Sequence, residues 1–323
     1  MPATFAVKVT RKWNETPDIC VLELHAVHED QKLPAFEAGA HVEVHLRGLP
    51  SRQYSLCNTP GPTDCYQLGI FLEPESRGVS RAIHQTVEVG HTFDISPPKN
   101  HFPLAEGATH SLLLAGGIGV TPVLAMAEAL ASRSASFDFH YCTRSAERMA
   151  FQTRIGQSGW RRNAHLYFDD APDDRRLDLN AVLSSPAAGT HLYVCGPSGF
   201  VTWVKQAATQ SGWPDTHVHS ESFTGVAVEV QDGDRAFDVE IAETGQIIHV
   251  GKDQTALNAF VEAGIDIPSS CEAGNCGTCQ TMVVSGAIDH RDQYLTAAER
   301  AANKSFMPCC SRAADDMIVI ALE

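Results

Sequence analysis

Basic side chains are scarce in this sequence. Its 323 residues include 24 Lys and Arg against 39 Asp and Glu, which gives a formal net charge of -15 at pH 7. A protein that binds nucleic acid needs clustered cations to neutralise phosphates, so this balance argues against a nucleic-acid partner. The acidic surface suits a basic protein partner or simply favours solubility, and composition does not separate these two interpretations.

A secretory signal and a membrane-spanning segment are also missing. Residues 1–8 lack a charged stretch followed by an apolar one. The uncharged stretch 111–127 contains the sequence GGIGVTP at 116–122, whose glycines and proline would break a spanning helix. Ten cysteines without a secretory signal favour a cytoplasmic protein, because thiols in that reducing compartment bind metals more often than they form disulfides.

No internal repeat divides the chain, but its length and a change of pattern predict several domains. Residues 1–103 contain short alternating strands separated by Gly, Pro and Asn, which predict an antiparallel β-barrel. Residues 104–225 alternate strands with helices, which predicts an α/β domain with a parallel sheet. The polar segment 226–235 is predicted to be a linker, and residues 236–323 to form a small α+β domain.

The pattern also predicts individual elements. Barrel strands are expected at 5–10, 20–26, 41–46 and 66–71. The α/β domain is expected to have strands at 112–115, 137–142, 165–168 and 191–195, with helices at 123–131 and 200–210. The last domain is expected to have a hairpin at 237–242 and 246–250, a helix at 255–263 and a final strand at 317–322.

The spacing of four cysteines indicates a metal centre. Cys271, Cys276 and Cys279 form a C-x4-C-x2-C motif, and Cys309 follows later in the chain. This is the spacing of a plant-type [2Fe-2S] centre, in which four thiolates bind two irons. A zinc site would need a second short pair of ligands, and a disulfide framework would need an oxidising compartment. The spacing favours Cys309 as the fourth ligand, with its neighbour Cys310 as the alternative.

An iron–sulfur cluster takes one electron at a time, whereas soluble reductants donate a hydride, so a flavin is the expected converter. Arg52, Tyr54 and Ser55 form an R-x-Y-S motif that suits a flavin. Arg52 can pair with a phosphate, Tyr54 can pack on a ring, and Ser55 can donate a hydrogen bond to the flavin N5 region. The same motif would also suit an edge strand with an exposed arginine.

Three glycine turns can bind phosphate groups. Residues 76–81, SRGVSR, combine a glycine turn with hydroxyls and cations, although a solvated surface turn would look similar. The turns at 116–122 and 195–199 each follow a strand and precede a helix, where a dinucleotide can approach the helix N-terminus. Neither matches G-x-G-x-x-G, and simple packing of a helix on a strand is the alternative.

The order of the motifs R-x-Y-S, G-G-I-G-x-T-P, C-G-P, E-S-F and C-x4-C-x2-C with a later P-C resembles the ferredoxin–NADP reductase superfamily. Within it, the whole chain more closely resembles the reductases of phthalate dioxygenase and vanillate O-demethylase systems. The resemblance implies an FMN-binding barrel, an NADH-binding α/β domain and a C-terminal β-grasp [2Fe-2S] ferredoxin domain. Electrons would then pass from NADH through FMN and the cluster to a separate Rieske oxygenase, an aromatic ring oxygenase or O-demethylase.

The resemblance also implies roles for single residues. Ser55 and Cys195 would shape hydride transfer. The wider set of binding residues would be Arg52, Tyr54 and Ser55 for the flavin, Gly78, Ser80 and Arg81 for its phosphate, Gly117, Gly119 and Thr121 for the NADH pyrophosphate, Cys195 and Gly196 for the nicotinamide, Phe223 for the flavin face, and Cys271, Cys276, Cys279 and Cys309 for the cluster. One departure is Val79, which replaces a frequent glycine and therefore needs a negative φ.

Several alternatives stay open at the level of sequence. FMN is preferred to FAD, and NADH to NADPH, by resemblance, although Arg144 after the predicted strand 137–142 can bind a 2′-phosphate. Electron flow in reverse to NAD(P) and a non-enzymatic redox sensor are alternative functions. The two dinucleotide-type glycine turns argue against a sensor. The sequence lacks the paired C-x-H and C-x2-H motifs of a Rieske centre, so electrons are expected to leave for another protein.

Overall fold

A computed structural model describes residues 4–28, 32–49, 51–74, 78–172, 176–184, 186–223, 233–265, 267–269, 274, 277–292 and 294–322. The chain divides into two compact units, residues 1–223 and 224–323. Within the described ranges, no helix is both long enough and apolar enough to cross a bilayer.

The first unit begins with an antiparallel barrel. Its elements are β1 (Phe5–Thr16), β2 (Ile19–Ala26), β3 (Ala40–His45), β4 (Arg52–Ser55), β5 (Tyr66–Phe71), helix α1 (Val79–Gln85), β6 (Thr92–Ile95) and β7 (Lys99–Asn100). The strands pair in the order β4-β3-β6-β1-β2-β5, with β7 on β3. A bridge between Leu56 and Leu68 joins the end of β4 to β5 and closes the sheet. The predicted β-barrel is confirmed.

Strand β2 contributes to two cores. Cys20 and Leu22 pack inside the barrel, whereas Ile19 and Val21 belong to a second core shared with the α/β domain. Successive side chains of a strand point to opposite faces, so an unbroken apolar run indicates a strand buried on both sides.

A parallel five-stranded sheet forms the rest of the first unit. Its elements are β8 (His110–Gly116), α2 (Val120–Ser132), β9 (Phe137–Thr143), α3 (Gln152–Gln157), β10 (Ala164–Phe168), α4 (Leu179–Leu183), β11 (Thr190–Gly196), α5 (Ser198–Gln210) and β12 (Val218–Ser222). The strand order is β10-β9-β8-β11-β12. From β8 the chain adds β9 and β10 on one side of the sheet and then returns to add β11 and β12 on the other side, so the order in which strands are added reverses between β8 and β11. Ligands of open α/β sheets bind outside the carboxyl ends of the strands at such a switch point.

The two faces of this sheet bury different neighbours. Leu113 and Ala115 of β8 face α2 and the barrel, in the same core as Ile19. Leu112 and Leu114 face the opposite way, in a core formed with α4 and α5. The parallel α/β domain predicted from the alternation of strands and helices is confirmed.

The second unit has a mixed sheet. Its elements are β13 (Phe237–Ile241), β14 (Ile247–Val250), α6 (Ala256–Glu262), β15 (Thr281–Ser285), β16 (Ile288–Asp289), α7 (Ala297–Ala302), β17 (Ser305–Phe306), β18 (Arg312–Ala313) and β19 (Met317–Ala321). The main sheet has the order β14-β13-β19-β15-β17, with β13 and β19 parallel. Helix α6 packs on it through Leu257 and Phe260. Strands β13 and β14 form the predicted hairpin, and Thr255 caps α6 by accepting a hydrogen bond from the Asn258 amide.

The domain boundaries remain predictions. Most of the predicted linker 226–235 lies outside the described residues. Its last two residues, 234 and 235, make hydrogen bonds to arginines of the second unit. The Asp234 carboxylate is buried and accepts a hydrogen bond from Arg291 Nη1 at 3.1 Å. Arg312 also donates to the Arg235 carbonyl at 2.9 Å. Residues 234 and 235 therefore belong structurally to the second unit.

Candidate functional site

The R-x-Y-S motif is strand β4 itself. Its register on β3 places Tyr54 opposite Val42 and Ser55 opposite His41. Ser55 is 4% exposed, while Tyr54 packs against the barrel core, and burial raises the pKa of its phenol. The Arg52 guanidinium donates to the Ser51 carbonyl at 2.7 Å. The strand brings together the three residues predicted to hold the flavin.

His41 is a candidate that sequence reasoning missed. Its imidazole is 4% exposed, and no described residue is hydrogen-bonded to Nε2. Burial, reinforced by His101 and Lys99, lowers its pKa to about 3, so the ring is neutral at physiological pH. A buried ring nitrogen without a partner is the kind of group that a bound ligand satisfies. The environment beside Ser55 therefore fits a bound flavin.

The predicted phosphate turn leads into α1. Gly78 is the N-cap with φ 119, a conformation that side chains disfavour, and Ser80 lies buried in the first turn. Val79 is the first helical residue, is not among the described non-glycine residues with positive φ, and packs into the barrel core. The expected negative φ at Val79 is therefore confirmed. Arg81 lies exposed on the same turn.

The first predicted dinucleotide-binding turn, residues 116–122, contains both open and buried positions. Gly117 has φ 53, and a Cβ there would meet nothing within 4 Å. A Cβ on Gly119 would lie 2.3 Å from the Cys195 carbonyl oxygen, so glycine at this position allows close packing on β11. Thr121 is 1% exposed, and its hydroxyl donates to the Ile118 carbonyl at 3.0 Å. Of the three, only Gly117 presents open backbone to a pyrophosphate.

Strands β11 and β12 end side by side, next to the switch point between β8 and β11. Cys195 pairs with Ala115 on one side and with Glu221 on the other. Its fully buried thiol donates to Glu221 Oε2 at 4.0 Å, and burial raises its pKa well above the ordinary value. Burial also raises the pKa of Glu221 to about 8, so this carboxyl is mostly protonated at neutral pH. Phe223 follows directly and is 40% exposed.

Two predicted cluster ligands lie in the second unit within the described residues. Cys279 and Cys309 are 3% and 2% exposed, and their thiols lie within hydrogen-bonding range of each other. The Gly274 amide donates to Cys309 Sγ at 3.2 Å, as expected of a loop that directs amides at sulfur. Cys271 and Cys276 lie outside the described residues, and the described residues alone contain no complete set of metal ligands.

A cavity of about 620 Å³ lies between the barrel and the α/β domain, lined in part by Trp13, Glu128 and Arg154. Arg154 pairs with Glu128 at 3.4 Å and donates to the Cys57 carbonyl at 2.9 Å. The Glu15 carboxylate accepts from Trp13 Nε1 at 2.8 Å. Of these contacts, the one between Arg154 and Cys57 joins the two domains, and the residues predicted to bind cofactors are not among those that line this cavity.

Two domain profiles match this sequence. Residues 239–314 match the profile described as a 2Fe-2S iron-sulfur cluster binding domain. Residues 95–218 match one described as dimethylamine monooxygenase subunit DmmA-like, N-terminal domain. The first match lies within the second unit and includes all four predicted cluster ligands.

The vanillate O-demethylase oxidoreductase of Pseudomonas sp. strain HR199 is 47% identical over 303 residues, which cover 94% of this chain and 95% of the relative. The chain belongs to the vanillate O-demethylase oxidoreductase family. Among solved structures, phthalate dioxygenase reductase superposes on it with a TM-score of 0.75 at 31% identity, covering 99% of this chain and 98% of that one. An intact type IV self-sufficient cytochrome P450 monooxygenase gives a TM-score of 0.85 at 36% identity over 99% of this chain and 41% of its own.

Family membership confirms several predictions from the sequence. The chain is a flavin- and iron–sulfur-dependent oxidoreductase that uses NADH and serves as the electron-transfer component of an oxygenase system. The predicted fold class, an antiparallel β-barrel, a parallel α/β domain and a ferredoxin-type domain in one chain, is confirmed as well. The roles of individual site residues remain predictions.

Proposed function

We propose that this chain passes electrons from NADH through FMN and a [2Fe-2S] cluster to a separate Rieske-type oxygenase that O-demethylates a methoxylated aromatic acid. The observation that carries the proposal is the 47% identity, along nearly the whole chain, to an oxidoreductase named for vanillate O-demethylation. The reducing cytoplasm is the proposed compartment, because it contains NADH and keeps the cluster thiols reduced.

The residues of the first unit bind and orient the reactants. Arg52 and the first turn of α1 at Gly78 and Ser80 hold the flavin phosphate, while Tyr54 and Ser55 position the ring. Bound flavin supplies the exchange between two-electron and one-electron chemistry. Gly117 leaves room for the pyrophosphate of NADH. The orientation of the nicotinamide determines the rate, because hydride transfer depends on close approach of the two rings more than on acid–base groups.

The neutral pair at the strand ends keeps charge away from the nicotinamide. The Cys195 thiol and the protonated Glu221 carboxyl stand at the carboxyl ends of β11 and β12, where the ring is expected. A fixed negative charge there would attract the positive ring of NAD⁺ and slow its release. The exit of the path is the cluster site formed by Cys271, Cys276, Cys279 and Cys309.

A reconstitution experiment tests the proposal. Anaerobic NADH should bleach the flavin band near roughly 450 nm. The reduced protein should then support formaldehyde release from vanillate by a co-expressed Rieske oxygenase. Mass analysis of the extracted flavin distinguishes FMN from FAD. Absence of bleaching would contradict the reductase role, and delivery of electrons only to a haem-containing acceptor would contradict the Rieske partner.

A further inference from the structure

Helix α5 carries two aromatic side chains at the switch point of the parallel sheet. The rings of Phe200 and Trp203 have centroids 6.1 Å apart with planes inclined by 58°. Trp203 is 46% exposed, whereas Trp160 and Trp213 of the same domain are 6% exposed each. An exposed tryptophan is unusual because its large apolar surface is normally buried, so this pair marks a surface that is free to bind a ligand.

Phe200 packs directly on the glycines where β8 and β11 end. A Cβ on Gly116 would lie 2.9 Å from Phe200 Cδ1, and a Cβ on Gly196 would lie 3.0 Å from the same atom. A side chain at either position would displace the ring. The half-buried Phe200 therefore lies between these two buried glycines and the exposed Trp203.

The two halves of a dinucleotide have different environments at this edge. Cys195 belongs to the core that faces the barrel, together with Ile19 and Val21. Phe200 packs on the opposite face of the sheet, against the core that contains Val194 and Val204. The nicotinamide must reach the flavin on the barrel side. A dinucleotide whose pyrophosphate crosses the glycine edge therefore leaves its adenosine on the side of α5.

We propose that Phe200 and Trp203 form the stacking platform for the adenine of NADH. Aromatic rings bind bases through their faces and are tolerant of geometry, which suits a base at an open surface. Phe200 is held in position by its packing on Gly116 and Gly196, and its ring in turn contacts Trp203. Trp203 provides the exposed ring. The inference rests on the dinucleotide site at the switch point.

A truncated substrate separates this role from the rest of the site. Trp203→Ala should raise KM for NADH about tenfold, within the range known for loss of one base–aromatic contact, and leave kcat nearly unchanged. Reduced nicotinamide mononucleotide has no adenine, so its kcat/KM should be the same in the variant and the parent protein. Trp203→Phe should restore most of the affinity for NADH.

The matched control is Thr202→Ala, at a neighbouring exposed position of α5. It should leave KM for NADH unchanged. An unchanged KM for NADH in Trp203→Ala would overturn the proposal, and so would an equal loss with both substrates, which would indicate damage to the nicotinamide half. Failure of the parent protein to oxidise either substrate would instead count against the proposed reductase function.

Discussion

The thiol of Cys195 and the carboxyl of Glu221 lie 4.0 Å apart at the adjoining ends of β11 and β12. Burial keeps both in their neutral forms, because the pKa of Cys195 is raised well above its ordinary value and that of Glu221 is raised to about 8. The carboxyl ends of these strands are therefore polar but uncharged at neutral pH.

Glu221 should make the protein less stable as pH rises. Its pKa is about 8 in the folded chain against an ordinary 4.5, so between these values the folded state holds a proton that the unfolded state has released. Stability falls with rising pH through that window because folding requires proton uptake. Glu221→Gln should flatten this dependence, as measured by urea midpoints from about pH 5 to pH 9. Glu88→Gln, at an exposed position, is the control. If stability changed with pH by the same amount in the parent protein and in both variants, the raised pKa would not belong to Glu221.

Ser55→Ala should slow flavin reduction by NADH about three- to tenfold, which is the scale of one neutral hydrogen bond. The side chain is nearly buried and is predicted to reach the flavin N5 region. Stopped-flow absorbance at saturating NADH measures the rate, and fluorescence titration of the apoprotein measures flavin affinity. Gln53→Ala changes the same strand at a residue that bonds to Glu43, and should change neither quantity. Equal effects of the two variants would remove the role given to Ser55.

Cys309→Ser should abolish cluster assembly, whereas Cys310→Ser should retain it. Cys309 Sγ accepts the Gly274 amide at 3.2 Å, while Cys310 Sγ is directed to the Met307 carbonyl at 3.8 Å. Iron content and visible absorbance report assembly, and NADH-dependent reduction of ferricyanide through the flavin should survive in both variants. The reverse pattern, iron lost only from Cys310→Ser, would make Cys310 the fourth ligand.

Gly69→Ala should destabilise the contact between barrel and α/β domain by about 1–3 kcal/mol, the usual cost of overpacking. The added Cβ would lie 2.7 Å from Thr121 Cγ2 and 3.3 Å from Phe151 Cζ. A Cβ added to Gly156 in α3 would meet nothing within 4 Å, so Gly156→Ala should raise Tm slightly by favouring the helix. Thermal unfolding distinguishes the two. A Gly69→Ala protein as stable as its parent would show that the interface can adjust.

The enzyme should prefer NADH to NADPH. The amides of Asp169 and Asp170 donate to the Thr143 and Arg144 carbonyls at 3.0 and 3.2 Å, which places these two acidic residues beside the end of β9. A 2′-phosphate next to Arg144 would meet their negative charge. The kcat/KM ratio for the two substrates tests this, and replacing both aspartates by asparagine should shift it toward NADPH. A parent protein that favours NADPH would contradict the prediction.

Much of the fold follows from local patterns. The strand predicted at 66–71 is β5, and the R-x-Y-S motif is β4, because alternation and turn residues act over a few positions. Thr255 begins α6 for the same reason, since an N-cap depends only on the next three residues. Motif order then assigned the flavin residues to the barrel and the dinucleotide residues to the α/β domain, and the structure packs these two domains into one compact unit.

Contacts between residues that are far apart in the chain could not be predicted from these local patterns. His41 lies beside Ser55 only because of the register between β3 and β4, and Phe200 reaches Gly116 only because β8 and β11 are neighbours. Thr121 was predicted to line the pyrophosphate, yet it is buried where α2 meets Gly69 of the barrel. Each of these contacts joins residues far apart in the chain, and no spacing in the sequence encodes them.

The bridge between Leu56 and Leu68 also pairs the two terminal strands of the barrel sheet with each other. A closed barrel exposes no row of unpaired amides and carbonyls to a neighbouring chain. In the described part of the chain, the strands at the ends of the open five-stranded sheets are β10 and β12 in one unit and β14 and β17 in the other. Strand exchange between copies therefore has a route through the edges of these two sheets.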